Sequence, residues 1–294
     1  MPKIAVLGGT GYLASLLKNQ NNKRKNKYIF FSRKKKSMWH INYVSSIKYF
    51  NILNNFDYII YLLGPNQKQL LKNKSLAKKK NEILSNICNL CLKNNIKLIY
   101  LSSMQIYEGY GKKNIFINSK INLKNFYSKS HYDSEKIILK KFLNHKNMFI
   151  ILRVGNVFGF KKYVNLKKIK NNLIHSICFS ALDKKKIIIK NGSIQRSFVP
   201  SKIFVHVINA IIEKNFFKNS IINIFYKNLS LKDIAKIVQK RIKLIFNLTI
   251  DIVIKKFNYQ KIFKVYDNHP FKFTSENKKI YFEIDQIIKK YKKI

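Results

Sequence analysis

A serine, a tyrosine and a lysine stand in an order that could move a proton to or from a substrate oxygen. Ser103 follows the apolar run Ile96-Lys97-Leu98-Ile99-Tyr100-Leu101-Ser102, and Tyr132-Asp133-Ser134-Glu135-Lys136 lies downstream. On a helix, a four-residue spacing puts Tyr132 and Lys136 on one face. An ammonium beside a phenol favours the phenolate and brings its pKa towards working pH. A hydroxyl at the carboxyl end of a strand, such as Ser103, can hold the oxygen whose proton the tyrosine transfers. Behind a nucleotide-binding loop, the three form a hydride-transfer set.

Such a loop opens the chain. The apolar run Ile4-Ala5-Val6-Leu7 ends in Gly8-Gly9-Thr10-Gly11 and passes into the amphipathic segment Tyr12-Leu13-Ala14-Ser15-Leu16-Leu17. The chain has only 9 glycines, yet three fall within residues 8–11. The spacing is G-x-x-G-x-x-A. Gly8 permits a tight turn, Gly11 lets a pyrophosphate approach main-chain N–H groups, and Ala14 lets helix pack on strand. Gly8, Thr10, Gly11, Tyr12 and Leu13 are therefore the expected cofactor contacts.

The elements that must hold these residues alternate along the first half of the chain. Residues 3–7, 28–32, 57–63, 96–102 and 148–154 read as strands, and 12–20, 76–93 and 132–144 as helices. Continuous apolar strands between helices predict a parallel sheet covered on both faces, an α/β, doubly wound, Rossmann-like fold. After Gly159 the pattern loosens into helices near 165–182, 201–214 and 230–243 with short strands near 186–190 and 221–225. The expected division is an NAD(P)-binding domain over 1–160 and a smaller C-terminal substrate-binding lobe over 161–294, with some return to the first domain.

Composition narrows the classes. The net charge is +46, carried by 54 lysines and only five arginines (24, 33, 153, 196 and 241). Lysine accompanies heavy use of Asn, Ile, Phe and Tyr, all with AT-rich codons, and is spread along the whole chain. A nucleic-acid groove would concentrate basic residues on one face, so codon bias is the better account and no specific nucleic-acid partner is expected. A hydrophobic content of 46% excludes a disordered chain. No window approaches the roughly 18–20 uncharged apolar residues of a membrane span, and Met1-Pro2-Lys3-Ile4 runs straight into a strand, so a cytoplasmic protein is expected. Cys88-Asn89-Leu90-Cys91 has the form C-x-x-C, but no second pair or nearby histidine completes a zinc site. The two read as small core residues, with no metal and no disulfide expected.

In their order, Gly8 to Ala14, Leu101-Ser102-Ser103-Met104-Gln105-Ile106-Tyr107 and Tyr132 to Lys136 resemble the extended short-chain dehydrogenase/reductase family, in its nucleotide-sugar epimerase/dehydratase group. Three later segments resemble the same group: Leu152-Arg153-Val154-Gly155-Asn156-Val157-Phe158-Gly159, Asn191 to Val199, and Ile222-Asn223-Ile224 followed by Leu229 to Ala235. The resemblance implies Ser103, Tyr132 and Lys136 as catalytic residues and Leu63 as a further cofactor contact. It implies Gln105, Asn156 and Arg196 as substrate contacts, with Arg196 meeting the diphosphate of a nucleotide sugar. Arg33, Arg153 and Arg196 fall at matched or cleft-facing positions, and a guanidinium fork suits phosphate better than an ammonium.

Departures from the group sharpen the expectation. The family usually has serine before the lysine of Y-x-x-x-K, where this chain has Glu135. Its dehydratases carry Asp-Glu after the catalytic hydroxyl, where Met104 and Gln105 stand here, so dehydration is not expected. After Arg196 the usual acidic pair is replaced by Lys202 and Ile203. No Asp or Glu precedes Asp57, and Phe31-Ser32-Arg33-Lys34 follows the second strand. Ser32 and Arg33 suit the 2′-phosphate of NADP better than the ribose diol of NAD. The expected function is an NAD(P)-dependent nucleotide-sugar epimerase or reductase, with a non-catalytic NAD(P)-binding scaffold or regulator as the alternative. Helices 76–93 and 132–144, the first with Ile83, Leu84, Ile87, Leu90 and Cys91 in an apolar stripe, suggest a homodimer.

Overall fold

The computed structural model describes residues 1–18, 26–32, 51–107, 114–169, 172–255, 264–266, 271 and 276–293. The chain order is β1 (Lys3–Leu7), α1 (Tyr12–Leu17), β2 (Lys27–Phe31), β3 (Tyr58–Tyr61), α2 (Gln67–Lys72), α3 (Ser75–Lys93), β4 (Lys97–Ser103), β5 (Asn114–Ile115), α4 (Phe126–Lys141), β6 (Phe149–Val154), β7 (Asn156–Phe158), α5 (Leu166–Ile169) and α6 (Leu173–Lys184). It continues with β8 (Lys186–Ile189), β9 (Gln195–Pro200), α7 (Ser201–Glu213), β10 (Ser220–Ile224), β11 (Lys227–Ser230), α8 (Leu231–Phe246), β12 (Asp251–Ile254), β13 (Lys264–Val265) and α9 (Asn277–Tyr291). The chain forms two compact units. The first comprises Met1–Gly109, Lys120–Arg153 and Ile208–Ile222, and the second Tyr110–Ser119, Val154–Val207 and Asn223–Ile294.

The first unit is built on a six-stranded sheet in the order β10-β6-β4-β3-β1-β2. β1 pairs in parallel with both β2 and β3, and β3 with β4. The chain moves outward from β1 to β2, then returns to lay β3, β4, β6 and β10 on the other side. That reversal is the switch point at which open α/β sheets bind ligands beyond their carboxyl edge. The strands are apolar along their whole length because both faces are covered: all six residues of β6, Arg153 included, are buried. Leu84, Ile87, Cys88 and Cys91 of α3 join Ile59, Tyr61, Leu98 and Tyr100 of the strands in one core. Each fully buried leucine or isoleucine contributes roughly 1.5–3 kcal/mol. The α3 stripe read as a dimer signal therefore faces this sheet, with Ile83 and Leu90 packed at its margin. Burial pushes the Cys88 thiol up to about 12, as expected of a core residue and not of a metal ligand.

α4 starts at Phe126, earlier than the expected 132. Asn125 Oδ1 accepts from the Ser128 N–H at 2.8 Å, and Ser128 Oγ accepts from the Asn125 N–H at 3.3 Å. This reciprocal capping box satisfies donors that a helix start leaves open. Tyr127 therefore lies in the first turn, and Tyr132 in the second.

The second unit holds a three-stranded sheet in the order β11-β9-β7, with β9 antiparallel to β11 and parallel to β7. A parallel pair β12-β8 lies beside α6, α8 and α9, which bury Ile174, Cys178, Ile234, Val238, Ile242, Ile284 and Ile287. The helix expected over 165–182 is two helices, α5 and α6. Among the described residues, no helix is long and apolar enough to cross a membrane.

Candidate active site

The glycine loop follows β1 directly. Gly8 has φ +98°, a conformation that L side chains rarely adopt, and a Cβ there would stand 3.1 Å from the carbonyl carbon and oxygen of Leu62. The Gly8 and Gly9 N–H groups both donate to the Phe31 carbonyl, and the Gly11 N–H to the Gly8 carbonyl at 2.8 Å. The turn is thus tied to the ends of β2 and β3 while its tip stays open: Thr10 and Gly11 are exposed, Tyr12 and Leu13 half-buried. Buried Ser32 donates its hydroxyl to Thr10 Oγ1 at 3.3 Å, and half-buried Leu63 follows β3. Gly8, Thr10, Gly11, Tyr12, Leu13, Ser32 and Leu63 gather at the carboxyl ends of β1, β2 and β3, around the switch point. A turn that only glycine fits, with an open tip, suits the diphosphate of a dinucleotide. Arg33 lies outside the described residues.

Ser103 ends β4, one strand over. The chain turns at once into a 3-10 segment, Met104–Tyr107, and the Gln105 N–H donates to Ser103 Oγ at 3.2 Å. A hydroxyl that accepts one hydrogen bond keeps its own proton to give. Burial raises the pKa of the Tyr127 phenol, and the neighbouring Ser103 hydroxyl opposes the rise. The Tyr127 ring meets the His131 ring edge to face, with centroids 4.6 Å apart. His131 Nδ1 lies 3.3 Å from the Tyr100 hydroxyl. Burial and the charge of Lys80 hold the His131 imidazole well below its usual range, so it is neutral near pH 7. Serine, tyrosine and histidine thus form one cluster at the sheet's carboxyl edge.

Tyr132 and Lys136 do meet each other, as their spacing predicts. The ammonium lies 5.2 Å from the centre of the Tyr132 ring. Their face is a different one, however. A helix turns about 100° per residue, so five residues set Tyr132 about 140° away from Tyr127. Lys136 is 57% exposed and pairs with Asp133 at 2.9 Å. The residues on the inner face are Tyr127, His131 and Glu135, spaced i, i+4, i+8.

Glu135 locks that face. Its carboxylate accepts from Ser102 Oγ at 2.5 Å and from Arg153 Nε and Nη2 at 3.1 and 2.7 Å. Arg153 Nη1 also donates to the Tyr107 hydroxyl. Arg153 therefore does not face a cleft, as its rarity had suggested. It is 4% exposed and its fork is fully engaged inside the unit.

Both a dinucleotide-type loop and a serine–tyrosine pair at the carboxyl edge are thus present. The stretch that carries them, residues 4–224, matches the pattern of the NAD dependent epimerase/dehydratase family. The chain belongs to that family. It is accordingly an NAD-dependent enzyme of the epimerase/dehydratase type. No curated protein matches the chain. Among solved structures, dTDP-4-dehydrorhamnose reductase from Yersinia enterocolitica aligns with a TM-score of 0.77 at 15% identity, covering 98% of this chain and 100% of that one. UDP-glucuronic acid 4-epimerase from Bacillus cereus, in complex with UDP-glucuronic acid and NAD, aligns with a TM-score of 0.76 at 16% identity over 98% and 100% of the two chains. UDP-N-acetylglucosamine 4-epimerase from Bacillus cereus gives 0.74 at 19% identity over 99% and 98%. At these identities the likeness is one of fold.

Two positions that the epimerase/dehydratase resemblance assigns to substrate lie in the second unit, on neighbouring strands. Asn156 on β7 is half-buried and donates Nδ2 to the Ser197 carbonyl at 3.2 Å. Arg196 on β9 is half-buried, with its backbone opposite Leu229 of β11. The third, Gln105, sits in the first unit with a buried Oε1 that has no hydrogen-bond partner.

Proposed function

We propose that this enzyme is an NAD(P)-dependent nucleotide-sugar epimerase or reductase, and that Tyr127, not Tyr132, moves the proton at the sugar carbon that exchanges hydride. The observation that carries the reading is that the inner face of α4 sets Tyr127, with its ring 4.6 Å from that of His131, beside Ser103 at the end of β4. Bound NAD(P) supplies the hydride donor or acceptor. Ser103 holds the reacting oxygen with its free proton. Tyr127 gives that oxygen a proton on reduction, or takes one on oxidation. Water elimination needs an acid and a base next to the site; Met104 and Gln105 carry neither, which argues for epimerisation or reduction. The orphaned Gln105 acceptor suits a sugar hydroxyl, and Asn156 and Arg196 are the other proposed substrate contacts, Arg196 to the nucleotide diphosphate.

NADP is the proposed preference over NAD. Ser32 stands where a carboxylate would hold the ribose diol, and Arg33 and Lys34 come next in sequence. The ratio of dissociation constants for NADPH and NADH tests this. NADPH is expected to bind more tightly, and the preference to shrink in Arg33→Ala; equal affinities in the parent overturn it. A homodimer through α3 and α4 belongs to the same reading, since Leu139 and Leu143 are exposed on and just beyond α4. Sedimentation at high salt tests it, and a monomer at micromolar concentration overturns it.

One observation favours a second reading, an NAD(P)-binding scaffold without turnover: His131 stands four residues after Tyr127, where the Y-x-x-x-K pattern requires lysine. A panel of nucleotide sugars incubated with the protein and NADPH or NAD, read by mass spectrometry, separates the two. Turnover supports the enzyme; bound nucleotide with no product from any sugar supports the scaffold.

A further inference from the structure

We propose that Lys80, on α3, supplies the positive charge that the Tyr127–Ser103 pair needs and that α4 does not carry at His131. The inference rests on Tyr127 as proton carrier. Among the described residues, Lys80 is the one lysine that is buried, at 5% exposure. Its Nζ donates to the carbonyl of Ser130 at 3.0 Å and to its hydroxyl at 2.9 Å. Ser130 lies between Tyr127 and His131, next to the histidine whose ring touches the phenol. The Lys80 carbonyl accepts from the Tyr61 hydroxyl at 3.0 Å, which fixes this turn of α3 to β3. The aliphatic stem runs past the loop after β3: a Cβ at Gly64 would stand 3.5 Å from Lys80 Cδ. The ammonium therefore reaches the site cluster from the neighbouring helix.

Stability does not explain it. Two neutral acceptors are poor compensation for a buried ammonium, whose desolvation costs several kcal/mol. The titratable groups that interact with it are Asp133, Glu135 and His131, all from α4. Burial lowers the Lys80 ammonium to about 7, against the opposing pull of Asp133 and Glu135. The same charge helps to keep His131 neutral, so the imidazole is not itself the cation. Lys80 is a positioning residue. It favours the phenolate that Tyr127 becomes after giving up its proton, and it does so only while protonated.

The sign follows. The charge is present below about pH 7 and lost above it, so turnover in the reducing direction falls as pH rises through about 7. Lys80→Met removes the charge, lowers the neutral-pH rate about tenfold or more, the equivalent of one pKa unit, and abolishes the fall. Lys80→Arg keeps a charge that does not titrate and moves the fall to higher pH. His131→Lys added to Lys80→Met restores a cation on α4 and recovers rate. A second readout needs no substrate: carbon-13 NMR of ring-labelled tyrosine, with the Tyr127 signal identified by its loss in Tyr127→Phe. That signal is expected to step near pH 7 in the parent and not in Lys80→Met or Lys80→Arg. A parent without the step, or Lys80→Arg that keeps it, overturns the proposal even if Lys80→Met does not fold. The step with no turnover on any nucleotide sugar would overturn the enzymatic reading and the catalytic role drawn from it, leaving only the coupling of Lys80 to Tyr127.

Discussion

Arg153 meets both carboxylate oxygens of Glu135, Nε at 3.1 Å and Nη2 at 2.7 Å, with the two side chains 5% and 0% exposed. The pair joins β6 to α4, and Ser102 ties the same carboxylate to β4. Because Glu135 lies eight residues after Tyr127, fixing one fixes which face of the helix meets Ser103.

Breaking this pair leaves a buried charge without a partner. Arg153→Met or Glu135→Gln should each cost about 3–5 kcal/mol of stability, read by chemical denaturation. Arg153→Met with Glu135→Leu should recover most of the loss, because neither charge then remains.

Tyr127→Phe keeps the ring against His131 and removes the proton carrier. We expect kcat to drop by roughly 10²–10⁴-fold, with nucleotide binding retained. Tyr132→Phe should turn over near the parent rate. If the two variants exchanged these outcomes, the helix face assigned to the chemistry would be the wrong one.

Gly8→Ala strains a backbone at φ +98° and presses on the Leu62 carbonyl. About 1–3 kcal/mol of strain is expected. NAD(P)H should bind about tenfold more weakly or worse, as read by fluorescence titration, with the helical content of the protein kept.

His175 gives a stability signal in acid. Burial lowers its pKa from 6.5 to about 4, partly offset by a 3.2 Å hydrogen bond to the Gly159 carbonyl. Between those values the unfolded chain binds a proton that the folded chain refuses, so stability falls as pH drops from about 6.5 to about 4. His131 is lowered as well and adds in the same direction. His175→Gln keeps a donor for Gly159 and should flatten the decline in melting temperature over that range, leaving the His131 share. An unchanged slope would mean that His175 titrates normally.

The glycine turn after β1 and the place of Ser103 at the end of β4 are legible in the sequence because their signals are local. An apolar run must end, and a glycine cluster in a glycine-poor chain marks where a turn takes φ above zero. The face of α4 is not legible in the same way. With 54 lysines and 17 tyrosines, a tyrosine four residues before a lysine is a weak signal, and the pair Tyr132 and Lys136 does not by itself select a helix face. Two signals pointed to the earlier register. Asn125 and Ser128 are spaced as a capping box, and Ser130 precedes His131 as the family's serine precedes its lysine, whereas Glu135 precedes Lys136. Arg153 and Lys80 were hidden for another reason. Their partners, Glu135 and Ser130, are far away in sequence, and only the packed structure sets a guanidinium against a carboxylate or sends one lysine inward among dozens that point out.

The strand order β10-β6-β4-β3-β1-β2 also sets a timetable for synthesis. β10 is made of Ser220–Ile224, so β6 has no neighbour on its outer side until the ribosome has passed residue 224. Until then Phe149–Val154, whose residues are all buried in the finished protein, present an apolar strand edge of the kind that pairs with other chains. A nascent chain stalled near residue 200 would hold a nearly complete nucleotide-binding sheet and still be prone to aggregate. One late strand thus governs how long the growing chain exposes that edge.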